Sequence, residues 1–183
     1  MTSKDAERGG ALRFAWRVTA AHMSTYLVAG LLASTLMDYE SWWATEWMDH
    51  YRPYDSPWIA AGMGLQVLRG LVLAAVLYPF REVFLTEERG WLKLWGLLVG
   101  VGVLSTYAAS LGSIEGVIYT AVPLKYHLFG LPEVYGQALA FSACLVGWYR
   151  SPSRAWGWVL GTLTVLAALM SLAGIFLAPL AEG

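Results

Sequence analysis

Arg69 and Gln66 are polar residues three positions apart inside the apolar stretch GMGLQVLRGLVLAAVLYPF, residues 62–80. Residues three apart share one face of a helix. An arginine at the centre of a membrane helix costs about 2.5–3.5 kcal/mol on insertion scales, so it needs a buried partner or a ligand. The pair therefore predicts an intramembrane polar cavity around Arg69 that binds a small polar or anionic ligand.

Three more polar residues are candidates for lining this cavity. His22 lies in the first apolar segment, where a neutral imidazole can hydrogen-bond to a neighbouring helix. Glu115 is a carboxylate that would neutralise Arg69 if its loop entered the bundle. Tyr107 belongs to a hydroxyl-rich stretch of the third apolar segment. The predicted ligand-binding residues are Arg69, Gln66, His22, Glu115 and Tyr107.

Familiar catalytic patterns are absent from the sequence. It contains no G-x-S-x-G, no H-E-x-x-H and no Walker loop, so no catalytic residue is assigned and enzymatic activity stays open. The single cysteine, Cys144, excludes an intramolecular disulfide and a cysteine-rich metal site. A haem held by two histidines would have to join His22 to His50 or His127, which are predicted at a different depth. The sequence indicates no metal and names no cofactor.

Composition defines the class of protein. Hydrophobic residues make up 57% of the 183 residues and charged residues only 14%. This balance is typical of a polytopic helical membrane protein, whose first partner is the lipid bilayer. The formal net charge is -1 and the basic residues are scattered, so nucleic-acid binding is not indicated.

Five segments are long and apolar enough to cross a hydrocarbon core about 30 Å thick, which takes roughly 20 helical residues. Typical helix-start residues precede three of them, at Ser56-Pro57, Pro132-Glu133 and Ser153. We therefore predict an all-α, polytopic integral membrane helical bundle that forms a single domain over residues 1–183. Its predicted transmembrane helices cover residues 14–37, 57–80, 91–112, 132–150 and 154–179.

Lysine and arginine are distributed unequally between the two ends of these segments. Cytoplasmic loops of membrane proteins carry an excess of both residues. With a cytoplasmic N-terminus, only Arg52 and Lys125 lie on the outer side, which predicts a multi-pass protein of the cell (inner) membrane with its C-terminus outside. The basic residues of the inner side are then Lys4, Arg8, Arg13, Arg17, Arg81, Arg89, Lys93, Arg150 and Arg154.

The stretch DYESWWATEWMDHY, residues 38–51, is too short and too charged to span. On a helical wheel, aromatic rings collect on one side, which predicts an interfacial aromatic helix with its rings at headgroup level. Glu46 lies on that side one turn before His50, where the pair could coordinate a metal, guard an entrance or form an ordinary hydrogen bond. The residues of this side are Tyr39, Trp43, Trp47, His50 and Tyr51.

The segment covering residues 113–131 is mostly apolar but is broken by Gly116, Pro123 and Gly130. Broken backbone cannot face lipid with unsatisfied polar groups. We therefore predict an outer lid, or a re-entrant segment that dips into the bundle.

Three functions from different classes are compatible with these features. The first is binding or transport of a small polar or anionic ligand through the cavity around Arg69. The second is a non-enzymatic accessory or assembly subunit of a membrane complex, with a homo-oligomer or a membrane protein as partner. The third is a membrane enzyme that acts on a lipid, quinone or haem-related substrate, with His22 and an outer carboxylate as acid and base.

Overall fold

A computed structural model gives the fold of residues 3–49 and 51–181 and the side chains of residues 10–49 and 51–176. Every regular element in these residues is helical, which confirms the all-α prediction for this part of the chain. Short 3-10 turns cover Glu46–Met48 and Tyr78–Phe80, and a π-helical turn covers Gly100–Leu104. The α-helices are α1 (Ser3–Leu36), α2 (Tyr39–Trp43), α3 (Pro57–Leu77), α4 (Arg81–Leu85), α5 (Gly90–Val99), α6 (Ile114–Tyr119), α7 (Leu124–Phe129), α8 (Leu131–Arg150) and α9 (Arg154–Ala181).

Three helical stretches of the described residues are long and apolar enough to cross a membrane: Pro57–Leu85, Leu124–Arg150 and Arg154–Phe176. Each agrees with one predicted segment. The Ser56 side chain accepts a hydrogen bond from the Trp58 amide, so the predicted start of α3 is confirmed. By length and composition a membrane bundle is therefore plausible, whereas the count of five transmembrane helices stays a prediction.

The long helix α1 lies at the centre of the packing. It contacts α3, α8 and α9, while α5 packs against α8. Small side chains let these helices approach, since Ala20 and Ala21 of α1 are completely buried. Gly70 of α3 lies against the α1 backbone, where an added Cβ would be 2.9 Å from the Cα of Thr19.

The third predicted segment, residues 91–112, does not form one continuous helix. α5 passes into the π-helical turn, and the chain from residue 105 to residue 113 is irregular. The amide and the hydroxyl of Ser105 both donate to the Gly100 carbonyl, at 2.9 and 2.7 Å. This side-chain bond ends the helix by competing with the regular backbone pattern.

The two remaining predicted segments form a single layer over one end of the bundle. We call this layer the aromatic cover: it consists of α2, Glu46–Met48, α6 and α7. The Trp42 ring of α2 stacks on Phe129 of α7, with 3.5 Å between ring centroids, and it meets Tyr126 edge-on at 4.5 Å.

The predicted helix over residues 38–51 is divided in this layer. α2 ends at Trp43, and a 3-10 turn follows. Trp42 makes the ring contacts with α7, although the helical wheel for residues 38–51 did not place Trp42 on the aromatic side. His50 lies outside the described residues, so its predicted pairing with Glu46 is not described.

We expect Gly70→Ala to destabilise the protein by about 1–3 kcal/mol, because the new methyl group would push α1 and α3 apart. Gly62→Ala is the matched control, since an added Cβ at Gly62 meets nothing within 4 Å. Alanine is the better helix former, so this control should be neutral or more stable by up to about 1 kcal/mol. Thermal unfolding in detergent measures both, and equal melting temperatures for the two variants would contradict the close approach.

Candidate ligand-binding site between α1 and α3

A hydrogen bond between His22 and Gln66 joins α1 to α3. The distance from His22 Nε2 to Gln66 Oε1 is 3.0 Å, and the histidine side chain is only 3% exposed. Gln66 Nε2 donates to the Gly62 carbonyl at 3.3 Å, which orients the amide with its oxygen toward the imidazole. Because that oxygen can only accept, His22 Nε2 carries the hydrogen and its Nδ1 is the acceptor of the neutral ring.

Aromatic rings on two helices enclose the imidazole. Phe141 of α8 meets His22 edge-on, with ring centroids 6.0 Å apart, and Tyr26 lies one helical turn further along α1 at 6.2 Å. Nearby hydroxyls are already used, since Thr25 bonds to the Ala21 and His22 carbonyls. Thr19 is the exception, because its buried Oγ1 has no hydrogen-bond partner among the described residues.

Arg69 lies beside this pair but is not enclosed by it. Its charge acts electrostatically on both His22 and Tyr26. The side chain is exposed, and no hydrogen bond or ion pair to it occurs in the described residues. The expectation that Arg69 faces the bundle and is satisfied there by acceptors or by Glu115 differs from this geometry. Gln66 forms no hydrogen bond to Arg69 in the described residues; its amide pairs with His22 and Gly62.

The structure does not bring the other two predicted residues to this place. Tyr107 belongs to the irregular chain after α5, and its side chain is 98% exposed. Glu115 lies in the first turn of α6, within the aromatic cover. Within the described residues, neither forms a hydrogen bond to His22, Gln66 or Arg69. Glu115 was expected at the site only if its loop entered the bundle, whereas Tyr107 was expected there as part of the third transmembrane segment.

Glu133 is a carboxylate that interacts electrostatically with Tyr26 of this site. It lies in the first turn of α8, where the helix dipole stabilises its charge, and it accepts a hydrogen bond from the Tyr39 hydroxyl. The helix-start residues Pro132-Glu133 predicted this carboxylate at the beginning of a helix. Its contact with Tyr39 could not be predicted from them, because it depends on how α2 packs near the start of α8.

Burial raises the pKa of Tyr39, and the hydrogen bond to Glu133 raises it further. The hydroxyl therefore remains protonated and donates to Glu133 at neutral pH. Because the folded-state pKa lies above the unfolded value of about 10, this contribution to stability is complete below pH 10 and is lost only as the pH rises further.

A cavity of about 440 Å³ lies between the bundle and the aromatic cover. Tyr26 and Glu133 form part of its wall on the bundle side, so the cavity approaches His22 to within one turn of α1. His127 of α7 is only 2% exposed and is held in place by the Gly112 amide, which donates to its Nδ1 at 3.3 Å. The rings that close the cavity belong to Tyr39, Trp42, Trp43, Tyr51, Tyr126 and Phe129.

The described side chains of this site offer hydrogen-bond donors and acceptors. No group of three or more metal-ligating side chains occurs among the described residues. Comparison of the chain with protein-family models, with curated proteins and with solved structures finds no match. The function of this site is therefore inferred from the contacts of four residues, His22, Gln66, Arg69 and Tyr26.

We expect Gln66→Leu to destabilise the protein by about 1–3 kcal/mol, because it leaves the buried Nε2–H of His22 without an acceptor. Adding His22→Phe should recover part of this loss, since the unsatisfied donor is then removed. Gln137→Leu on α8 is the matched control, because Gln137 has no described hydrogen bond, and it should change stability by less than about 0.5 kcal/mol. Unfolding in detergent measures all three. A loss that is equal for Gln66→Leu and Gln137→Leu would contradict the pairing.

Proposed function

We propose that this chain is a membrane protein that binds a small anionic or polar ligand beside Arg69, at the α1–α3 interface. One observation carries the proposal: Arg69 has no hydrogen-bond or ion-pair partner among the described residues, while its neighbours His22 and Gln66 satisfy each other. A charge at mid-membrane depth costs about 2.5–3.5 kcal/mol on insertion scales. A bound anion offsets that cost.

The side chains around Arg69 favour an oxygen anion. A guanidinium binds a carboxylate or a phosphate through two parallel N–H···O hydrogen bonds. Tyr26, on which Arg69 acts electrostatically, offers a hydroxyl donor, and the unpartnered Oγ1 of Thr19 lies at the same helix interface. We propose binding alone, because these contacts define a place for a ligand and not a path through the bilayer.

The packing of α1 supports a larger number of crossings than three. α1 contacts α3, α8 and α9, and these helices include the apolar stretches that can cross a membrane. A helix packed along all three lies at the same depth, so we propose α1 as a fourth crossing. We propose α5 with its π-helical turn as the fifth.

The proposed orientation places the N-terminus in the cytoplasm of a cell whose inner membrane holds the protein. It depends on the excess of lysine and arginine at the inner ends of the segments. Membrane-impermeant thiol labelling tests it in a Cys144→Ser background. Thr45→Cys should react from outside, and Glu87→Cys should react only after permeabilisation. The reverse pattern would contradict this orientation.

An assembly subunit is the second candidate, and one surface favours it. A groove of about 670 Å³ runs along α1 between α8 and α9, and almost all of its lining is apolar. Gly96 of α5 and Gly100 of the π-helical turn form a G-x-x-x-G pattern, and both face open space, since an added Cβ at either meets nothing within 4 Å. A helix of a partner subunit would fit against such small-residue surfaces.

Arg69→Met tests the binding function, because it removes the charge at similar side-chain length. We expect the wild-type protein, extracted with its native lipid in nanodiscs, to carry an anionic small molecule that mass spectrometry identifies. Arg69→Met should lose it, whereas Arg69→Lys should retain part of it because the charge remains. Arg89→Met removes an exposed arginine at the start of α5 and serves as the matched control.

Two outcomes would contradict the binding function. One is a folded Arg69→Met protein that carries the same molecule at the same stoichiometry as the wild type. The other is a wild-type protein that carries no anion but copurifies with a stoichiometric protein partner, which would favour the assembly subunit. If Arg69→Met does not fold, Arg69→Lys and Arg89→Met decide. A site at Arg69 would then be contradicted if Arg69→Lys kept all of the bound anion while Arg89→Met lost it.

A further inference from the structure

Three arginines meet around one cavity at the end of the bundle opposite the aromatic cover. Arg13 and Arg17 lie one turn apart on α1, and Arg81 is the first residue of α4. The cavity measures about 360 Å³, with the buried Phe14 ring in its wall. Tyr78, Tyr149 and Gly10 complete the wall, and none of the described residues that line it is acidic.

Aromatic rings hold two of these guanidinium groups in place. Arg81 Cζ lies 4.3 Å from the centroid of the Tyr78 ring, and its Nη1 donates to the Tyr78 carbonyl at 2.9 Å. Arg17 Cζ lies 5.4 Å from the Trp148 ring centroid. A guanidinium held over a ring face keeps N–H groups at its edge for another partner.

Another arginine at the same end of the bundle shows the contrasting arrangement. Arg150 donates to the carbonyls of Leu85, Glu87 and Glu88, so its guanidinium is used in fastening α8 to the chain after α4. Arg81 donates to a single carbonyl among the described residues. Arg17 and Arg81 bring like charges to one cavity, and an anion bound between them relieves their mutual repulsion.

We propose that this cavity is a phosphate-binding site, independent of the site at Arg69. Phosphate oxygens accept paired hydrogen bonds from several arginines at once. The neighbouring rings of Tyr78, Trp148 and Tyr149 are typical of the membrane–water interface, which is the depth of lipid phosphates. Basic pockets between helices at that depth bind anionic lipid headgroups. A soluble phosphate ester offers the same chemical group.

Native mass spectrometry of the full chain in detergent tests the site with named probes. Phosphatidylglycerol is titrated alone and then against inorganic phosphate and glycerol 3-phosphate. We expect one phosphatidylglycerol molecule per chain, with an affinity at least tenfold lower in Arg13→Gln, Arg17→Gln and Arg81→Gln. Arg17→Lys should lose a smaller factor, since it keeps the charge but not the two parallel hydrogen bonds.

One matched variant separates this site from general charge effects. Arg154→Gln removes an exposed arginine at the start of α9 and should bind within twofold of the wild type. Competition by glycerol 3-phosphate at concentrations that displace the lipid would support a soluble phosphate ester as the ligand. Binding of phosphatidylglycerol without such competition would support a lipid headgroup.

Binding of none of the three probes by the wild type would overturn the proposal. It would also be overturned if Arg154→Gln lost as much affinity as the cavity variants, because the effect would then reflect net charge alone. Arg17 and Arg81 are half-buried, so their variants can fail to fold. Arg13, whose side chain is exposed, then decides: wild-type affinity in Arg13→Gln would contradict the site.

Discussion

The hydrogen bond between His22 and Gln66 is the interaction on which the arrangement of the bundle depends. A buried imidazole donor needs an acceptor, and in an apolar bundle only another helix can supply it. The bond fixes the register of α1 against α3, and the close approach of Gly70 to Thr19 lies one turn away on the same contact. With α1 held at this depth, α8 and α9 pack on its remaining sides.

Arg69 lies three residues after Gln66 on α3, but the Gln66 amide pairs with His22 and Gly62 and forms no described hydrogen bond to it. The Arg69 charge acts electrostatically on His22 and Tyr26. The described side chains thus satisfy the buried histidine and offer the arginine no hydrogen-bond or ion-pair partner. At the opposite end of α1, aromatic rings contact the guanidinium groups of Arg17 and Arg81.

Local sequence patterns predicted the elements that depend on local physics. α3, α8 and α9 follow long apolar runs with recognisable start residues, and their observed limits lie close to the predicted ones. The third segment could not be predicted in the same way, because apolar composition did not reveal that Ser105 would compete for the Gly100 carbonyl. The helical wheel for residues 38–51 likewise assumed an unbroken helix, whereas the observed chain changes direction after Trp43.

The site was predictable only as a set of polar residues and not as a set of contacts. Arg69, Gln66 and His22 stood out because each is polar within an apolar segment. That His22 pairs with Gln66 depends on residues 44 positions apart, and the contact of Tyr39 with Glu133 joins residues 94 positions apart. Such pairs follow from the register of packed helices, which no single segment encodes. Glu115 and Tyr107 were included for their chemistry alone, and their segments lie elsewhere.

Nitrogen NMR of the protein with isotope-labelled histidine tests the central pairing most directly. The chain has three histidines, and a His22→Phe variant identifies the signal of His22. The account predicts a neutral imidazole with the hydrogen on Nε2 and an unprotonated Nδ1, and a clear change of the Nε2 signal in Gln66→Leu. A hydrogen on Nδ1, or an Nε2 signal that Gln66→Leu leaves unchanged, would contradict it.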